Sequence, residues 1–168
     1  MQDSDIIIIG PIGVGKSTIG GLLSQALEMD LIELDDVWLG YATEIGYDAE
    51  FAKLLHSRGG FWASYMYRKE FCCYAVERVL EDHDNCVFAF GAGHSVYETP
   101  PHLARIQGAL EPCPSVILLL PSPEAREAQM KVLAVRPDVP DEIKEHLLMH
   151  HSNRTLCDPH RLHWSNIT

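Results

Sequence analysis

The stretch Ile6-Ile7-Ile8-Ile9-Gly10-Pro11-Ile12-Gly13-Val14-Gly15-Lys16-Ser17-Thr18 decides the fold of this chain. Four β-branched residues in a row, with no polar alternation, predict a strand buried on both faces, as in a parallel sheet. Gly10-Pro11 ends it, and Gly10 to Ser17 then match the pattern G-x-x-x-x-G-K-[ST]. Each part of that pattern has a physical task. Glycines let the backbone curl so that successive N–H groups point at phosphate oxygens. The helix that follows presents the positive end of its dipole to the same anion. Lys16 supplies a point charge for the β- and γ-phosphates, and the Ser17 hydroxyl a ligand for Mg²⁺. Gly10, Ile12, Gly13, Val14, Gly15, Lys16, Ser17 and Thr18 are therefore the expected nucleotide-binding residues. A chain of this length should show roughly 0.006 such matches by chance, and here the match also follows a strand and opens a helix.

The alternation continues outward from the loop. From Lys16 to Glu28, apolar residues at Ile19, Leu22, Leu23, Ala26 and Leu27 follow helical spacing. Leu31–Leu34 reads as a second strand ending at Asp35-Asp36. Asp48 caps a short helix through His56, and after Gly59-Gly60 a longer helix runs from Phe61 to about Glu81. Cys86–Phe90 is a third strand, entering Gly91-Ala92-Gly93. Thr99-Pro100 and Ser122-Pro123 are N-cap signatures, opening helices to about Leu110 and Leu133. Between them Ser115–Leu120 is a fourth strand. Residues 136–140 form a loop, Asp141 caps a helix to about His151, and 161–165 is a weak fifth strand. Strands alternating with helices imply an α/β fold with a parallel sheet covered on both faces. A chain of 168 residues is expected to form one domain over its whole length, 1–168.

Composition narrows the function classes. Lys and Arg total 13 against 24 Asp and Glu, a net charge of −11. Such a surface repels nucleic acid and anionic membrane, so neither is an expected partner. The longest apolar runs are far too short to span a bilayer, and the first residues lack a signal peptide's basic region. Five cysteines, with no Cys-x-x-Cys, read as free thiols in a reducing cytoplasm. His146, His150, His160 and His163 have spacing that could hold zinc, yet read better as a solvated helix face and tail. No N-K-x-D base-reading signal occurs. A small single-domain protein with this loop points to a kinase of a small molecule or nucleotide.

The residues mark candidate roles. Asp35 lies at the carboxyl edge of the sheet, where open α/β folds bind ligands. It could accept a hydrogen bond from a hydroxyl that attacks the γ-phosphate, while Glu33 could hold a Mg²⁺-bound water. Asp36 reads equally as a solvated cap. Arg68 falls on an otherwise apolar helical stripe formed by Phe61, Tyr65, Cys72, Ala75 and Val79, and its guanidinium suits a carboxylate. Gly91 and Gly93 permit close approach of backbone to substrate.

From Ile6 to about Arg136 the sequence resembles the shikimate kinase family, within the nucleoside-monophosphate-kinase-like group. The resemblance rests on ordered pieces. They are Gly10–Ser17 with Thr18-Ile19-Gly20, the strand Leu31-Ile32-Glu33-Leu34-Asp35, and Tyr67-Arg68-Lys69-Glu70, similar to F-R-x-x-E with the acid one residue early. Phe90-Gly91-Ala92-Gly93 is similar to a T-G-G-G turn, with Ala92 in place of the middle glycine. Arg136 falls where the family has its mobile lid, here about 134–141. The resemblance implies a three-layer α/β/α P-loop fold with a five-stranded parallel sheet, ATP and Mg²⁺ as cofactors, and a small-molecule acceptor. It implies Lys16, Asp35 and Arg136 as catalytic, Asp35, Arg68, Gly91, Ala92 and Gly93 as substrate-binding, and Ser17 and Glu33 as metal-holding. The expected activity is transfer of the γ-phosphate to a hydroxyl of a carboxylate-bearing metabolite. Another acceptor (a nucleotide, gluconate or an antibiotic) or a non-catalytic nucleotide-binding module are the alternatives.

Overall fold

A computed structural model describes residues 4–122 together with Glu124, Glu127, Met130, Lys131 and Ala134. In chain order the elements are β1 (Ile6–Ile9), α1 (Lys16–Leu27), β2 (Asp30–Glu33), α2 (Leu34–Glu44), α3 (Ala49–Asp82), β3 (Cys86–Ala89), a 3₁₀ turn (Ala92–His94), α4 (Pro100–Leu110) and β4 (Ser115–Leu118). The strands form one sheet of order β2-β3-β1-β4, and every pairing is parallel. The α/β architecture with a parallel sheet is as the alternation of elements predicts. Among the described residues the sheet has four strands rather than five; the expected fifth, 161–165, lies outside them, as does the helix expected after Asp141.

Burial explains the strands. Ile7, Ile8, Ile9, Val87 and Phe88 are completely buried, consistent with a sheet covered on both faces. Ile7, Ile9, Phe88 and Phe90 pack with Val76, Val79 and Leu80 of α3 and with Ile106 and Leu110 of α4 in the main core. At the amino edge the buried Asp5 carboxylate accepts the Cys86 N–H at 3.0 Å, tying β1 to the start of β3.

Strands β3 and β4 stop short of their expected ends, at Ala89 and Leu118, and two larger differences concern the helices. Leu34 does not end β2 but opens α2, which places Asp35 and Asp36 in that helix's first turn. Acidic side chains there complement the helix dipole, which favours helix over a longer strand. The two helices expected on either side of Gly59-Gly60 are joined as α3 across a kink at Gly60, whose φ of 72° breaks the helical path. Asp48 caps α3 as its sequence position predicts, its Oδ1 accepting the N–H groups of Glu50 and Phe51 at 2.8 and 3.0 Å. Cys72, Cys73, Cys86 and Cys113 are buried free thiols. No helix among the described residues is long and apolar enough to cross a membrane.

Candidate active site

Sheet register assembles the site. Ile8 pairs with Ala89, and Ala89 pairs with Glu33. Two residues beyond each of these come Gly10, Gly91 and Asp35, so the three reach one level at the carboxyl edge. Because β3 lies between β1 and β2, the turn after it sits between the glycine loop and the two acids. This edge is where parallel α/β sheets receive ligands.

The loop from Gly10 to Gly15 has the conformation its glycines predict: Gly10, Gly13 and Gly15 all have positive φ. Gly15 is the N-cap of α1 and makes no side-chain cap hydrogen bond, so the first N–H groups of α1 remain available to an anion. Lys16 Nζ donates to the carbonyls of Gly10 and Pro11 at 3.0 and 2.9 Å. Burial lowers its pKa, and the nearby Asp35 charge opposes that shift. Ile12 and Val14 are half-buried, and Thr18 is exposed one position after Ser17.

Ser17 Oγ donates to Glu33 Oε2 at 2.6 Å. The two residues expected to hold Mg²⁺ thus meet across α1 and β2, and their hydroxyl and carboxylate oxygens are the hard donors that cation takes, with water completing its shell. The residues present fit a nucleotide's phosphates and Mg²⁺ on both counts: a loop turned by positive-φ glycines into the uncapped N-terminus of α1, and an adjacent pair of oxygen donors.

Gly91 fits Asp35 by space rather than by backbone freedom, since its φ is −58°. A Cβ on Gly91 would collide with the Asp35 carboxylate. The Asp35 side chain is 72% exposed, and its Oδ1 lies 3.5 Å from Nδ1 of His94, which is 3% exposed. His94 beside Asp35 holds that carboxyl below the usual carboxylate range; burial opposes the shift, and the charges of Lys16 and Arg68 add to it. Lys16, Asp35, Arg68 and Gly91 are therefore within one electrostatic neighbourhood. Ala92 and Gly93 continue the turn, Ala92 half-buried and Gly93 exposed.

Arg68 is exposed, and its guanidinium lies 4.6 Å from the centre of the Trp38 ring. The apolar stripe on which it falls is buried at Cys72, Ala75 and Val79 but open at Arg68, and the buried cation of that helix is its neighbour Lys69, 1% exposed. Lys69 Nζ donates to the carbonyls of Gly93 and Val96 at 2.7 and 2.6 Å and faces the Tyr65 and Tyr97 rings. A buried ammonium is tolerable only with such partners, and here they fix the turn that follows β3. Trp38 also borders His94 and Tyr47, and Tyr47 stacks on Tyr67, giving the α2–α3 side of the site an aromatic wall.

Sequence reasoning missed Lys69 and His94. Both belong to tertiary pairings, and no spacing rule connects either residue to its partners. Arg136 and positions 135–141 of the lid lie outside the described residues, as do His146, His150, His160 and His163. Among the described residues no group of three or more His, Cys, Asp or Glu side chains could hold a metal ion.

A family model described as shikimate kinase matches residues 12–155. The chain is 31% identical over 93 residues to a shikimate kinase of Francisella tularensis subsp. holarctica, covering 55% of this chain and 47% of that protein. It is 32% identical over 93 residues to a shikimate kinase of Francisella philomiragia, with the same coverage. The chain spans about half the length of the curated relatives it matches. Its fold is similar to that of a shikimate kinase from Acinetobacter baumannii solved in complex with shikimate, with a TM-score of 0.55, 17% identity, and coverage of 92% of this chain and 78% of that one. With most of its length matched by the family model and the fold shared, the chain belongs to the shikimate kinase family.

Proposed function

We propose that this protein is an ATP-dependent kinase that transfers the γ-phosphoryl group to a hydroxyl of a small, carboxylate-bearing, shikimate-like acceptor. The observation that carries the reading is the common level of Gly10, Asp35 and Gly91 at the sheet edge, with Lys16 and Arg68 in the electrostatic field of Asp35. When bound, Mg·ATP supplies the transferable phosphoryl group and neutralises part of its charge. The protein's own part is positioning and electrostatics. The N–H groups of the Gly10–Gly15 loop, other than at Pro11, which has none, and the start of α1 bind phosphate oxygens, and Lys16 places a positive charge beside them. Ser17 and Glu33 would hold the cation.

Asp35 is ionised at neutral pH, so it can accept the proton of the attacking hydroxyl. Arg68 offers two parallel N–H donors to an acceptor carboxylate, and stacking on Trp38 limits its freedom. Gly91 leaves the space in which Asp35 sits, and Ala92 and Gly93 border it. Arg136 in a lid over the phosphates is part of the same proposal, as is a cytoplasmic setting, which the buried free thiols suit. The test is ATP turnover by the wild-type protein across shikimate, gluconate and a nucleoside monophosphate. The proposal expects saturable, acceptor-dependent turnover with shikimate or another carboxylate-bearing acceptor. ATP binding with no turnover on any acceptor would overturn it in favour of a nucleotide-binding module.

A further inference from the structure

Asp35 presents a mechanical problem. Its side chain sits in the first turn of α2 and is largely exposed, so nothing on its own helix fixes its rotamer. A carboxylate that must meet a hydroxyl in line with a phosphoryl group has to be held, because displacement by about 1 Å can cost on the order of 10²-fold in rate. The group that faces it from the fixed part of the structure is His94.

His94 is mounted rigidly. Its own N–H donates to Gly91 O at 2.9 Å, and its carbonyl accepts from Tyr97 Oη at 3.0 Å. On either side, Lys69 Nζ grips Gly93 O and Val96 O. The ring is 3% exposed, bordered by Trp38, with the Cys72 thiol also close by. Neither ring nitrogen makes a hydrogen bond of ordinary geometry among the described residues, and Nδ1 is 3.5 Å from Asp35 Oδ1. A buried imidazole is costly unless its polar atoms find partners. Contacts of catalytic groups are often long before substrate is bound and shorten in the reacting complex.

We propose that His94 is a positioning residue, its Nδ1–H fixing the Asp35 carboxylate against Gly91 so that the other carboxylate oxygen is left to the acceptor hydroxyl. This rests on the kinase reading for its consequence, but the contact itself can be tested without turnover. Burial works against the charged ring, yet Asp35 and Cys72 outweigh it and raise the His94 pKa, which agrees with a ring that donates to a carboxylate.

Two substitutions separate positioning from packing. His94→Leu keeps most of the volume and removes the donor, whereas His94→Asn retains an N–H near the place of Nδ1. If His94 positions Asp35, kcat falls on the order of 10²-fold in His94→Leu, the KM for ATP stays within about threefold, and His94→Asn recovers most of the loss. Equal kcat in His94→Leu and wild type, or equal losses in folded His94→Leu and His94→Asn, would overturn the proposal. ¹⁵N NMR of the histidine ring provides the readout without turnover. The His94 Nδ1 resonance of the wild-type protein should move in Asp35→Ala. An unmoved resonance would contradict the contact whatever the protein's activity. Wild-type protein with no turnover but a moved resonance would instead overturn the kinase reading and leave the pairing standing.

Discussion

Arg68 and Lys69 are adjacent cations on one helix with opposite environments. Lys69 is enclosed and spends its three donors on backbone and aromatic rings, so it organises the turn after β3. Arg68 points to the open side, stacked on Trp38, with its fork of donors accessible. That difference supports the proposal that Arg68, rather than Lys69, recognises the acceptor. A Lys there keeps the charge but loses both the planar pair of donors and the stacking. In Arg68→Lys the KM for a carboxylate-bearing acceptor should rise about tenfold or more, the worth of one charge-assisted contact. The KM for ATP, measured at saturating acceptor, should hardly change. A parallel rise in both constants would mean that Arg68 shapes the whole site rather than the acceptor's anchor.

At the scale of elements, the site is a consequence of register. Gly91 faces Asp35 because β3 pairs with both β1 and β2, and the pairing leaves no room for a Cβ at that position. Gly91→Ala should therefore push the Asp35 carboxylate aside or shift the turn, at a cost of about 1–3 kcal/mol for overpacking. Acceptor phosphorylation should fall on the order of 10²-fold with ATP affinity nearly intact; wild-type kcat in Gly91→Ala would contradict the close approach. The elements themselves were largely legible in the sequence. The isoleucine run, the glycine loop, the Asp48 cap and the Thr99-Pro100 start are local signals, and each marks the boundary found. Leu34 misled because an apolar residue at the end of a strand-like run is equally suited to the first turn of a helix; the two acids after it decide the matter. Asp35, Glu33 and Ser17 were readable as candidates because they follow strands or the loop. His94 and Lys69 were not, because their significance lies in which residues the β2–β3 register and the α3 packing bring to them.

At the scale of the molecule, α3 is the spine that runs from the site to the start of β3, packed beside α4 in one core. Its outer face is fastened to α4 through Arg105, which donates to Glu77 with two nitrogens at 2.8 and 2.6 Å and to Glu70 at 2.6 Å. His102 adds a second contact to Glu70 at 3.2 Å. Arg105, followed by the smaller effect of His102, holds the Glu70 carboxyl below its ordinary value of 4.5, with partial burial opposing. A carboxyl whose folded pKa is depressed stabilises the native state fully above its unfolded pKa and loses that contribution as pH falls through the folded value. Because Glu70 is 54% exposed, the network is worth about 1 kcal/mol through this residue. Glu70→Gln should then lower Tm by about 2–4 °C at pH 7, and the difference from wild type should close as pH falls below the ordinary carboxylate range. A gap that is constant with pH would show that the residue acts by packing rather than charge.

The same helix brings Arg68 into the field of the Asp35 carboxylate and Lys69 to the turn after β3, so the account of fold and function meets at that edge of the sheet. Its central claim is that Asp35 takes the proton of an acceptor hydroxyl beside a nucleotide held by the glycine loop. The most direct measurement compares wild type and Asp35→Asn in two assays on the same preparations, ATP binding and steady-state phosphorylation of shikimate. Asparagine keeps the shape and removes the charge and the basic oxygen. The account predicts ATP affinity within about threefold of wild type and a kcat lower by about 10²–10⁴-fold. Equal kcat in the two proteins would contradict it.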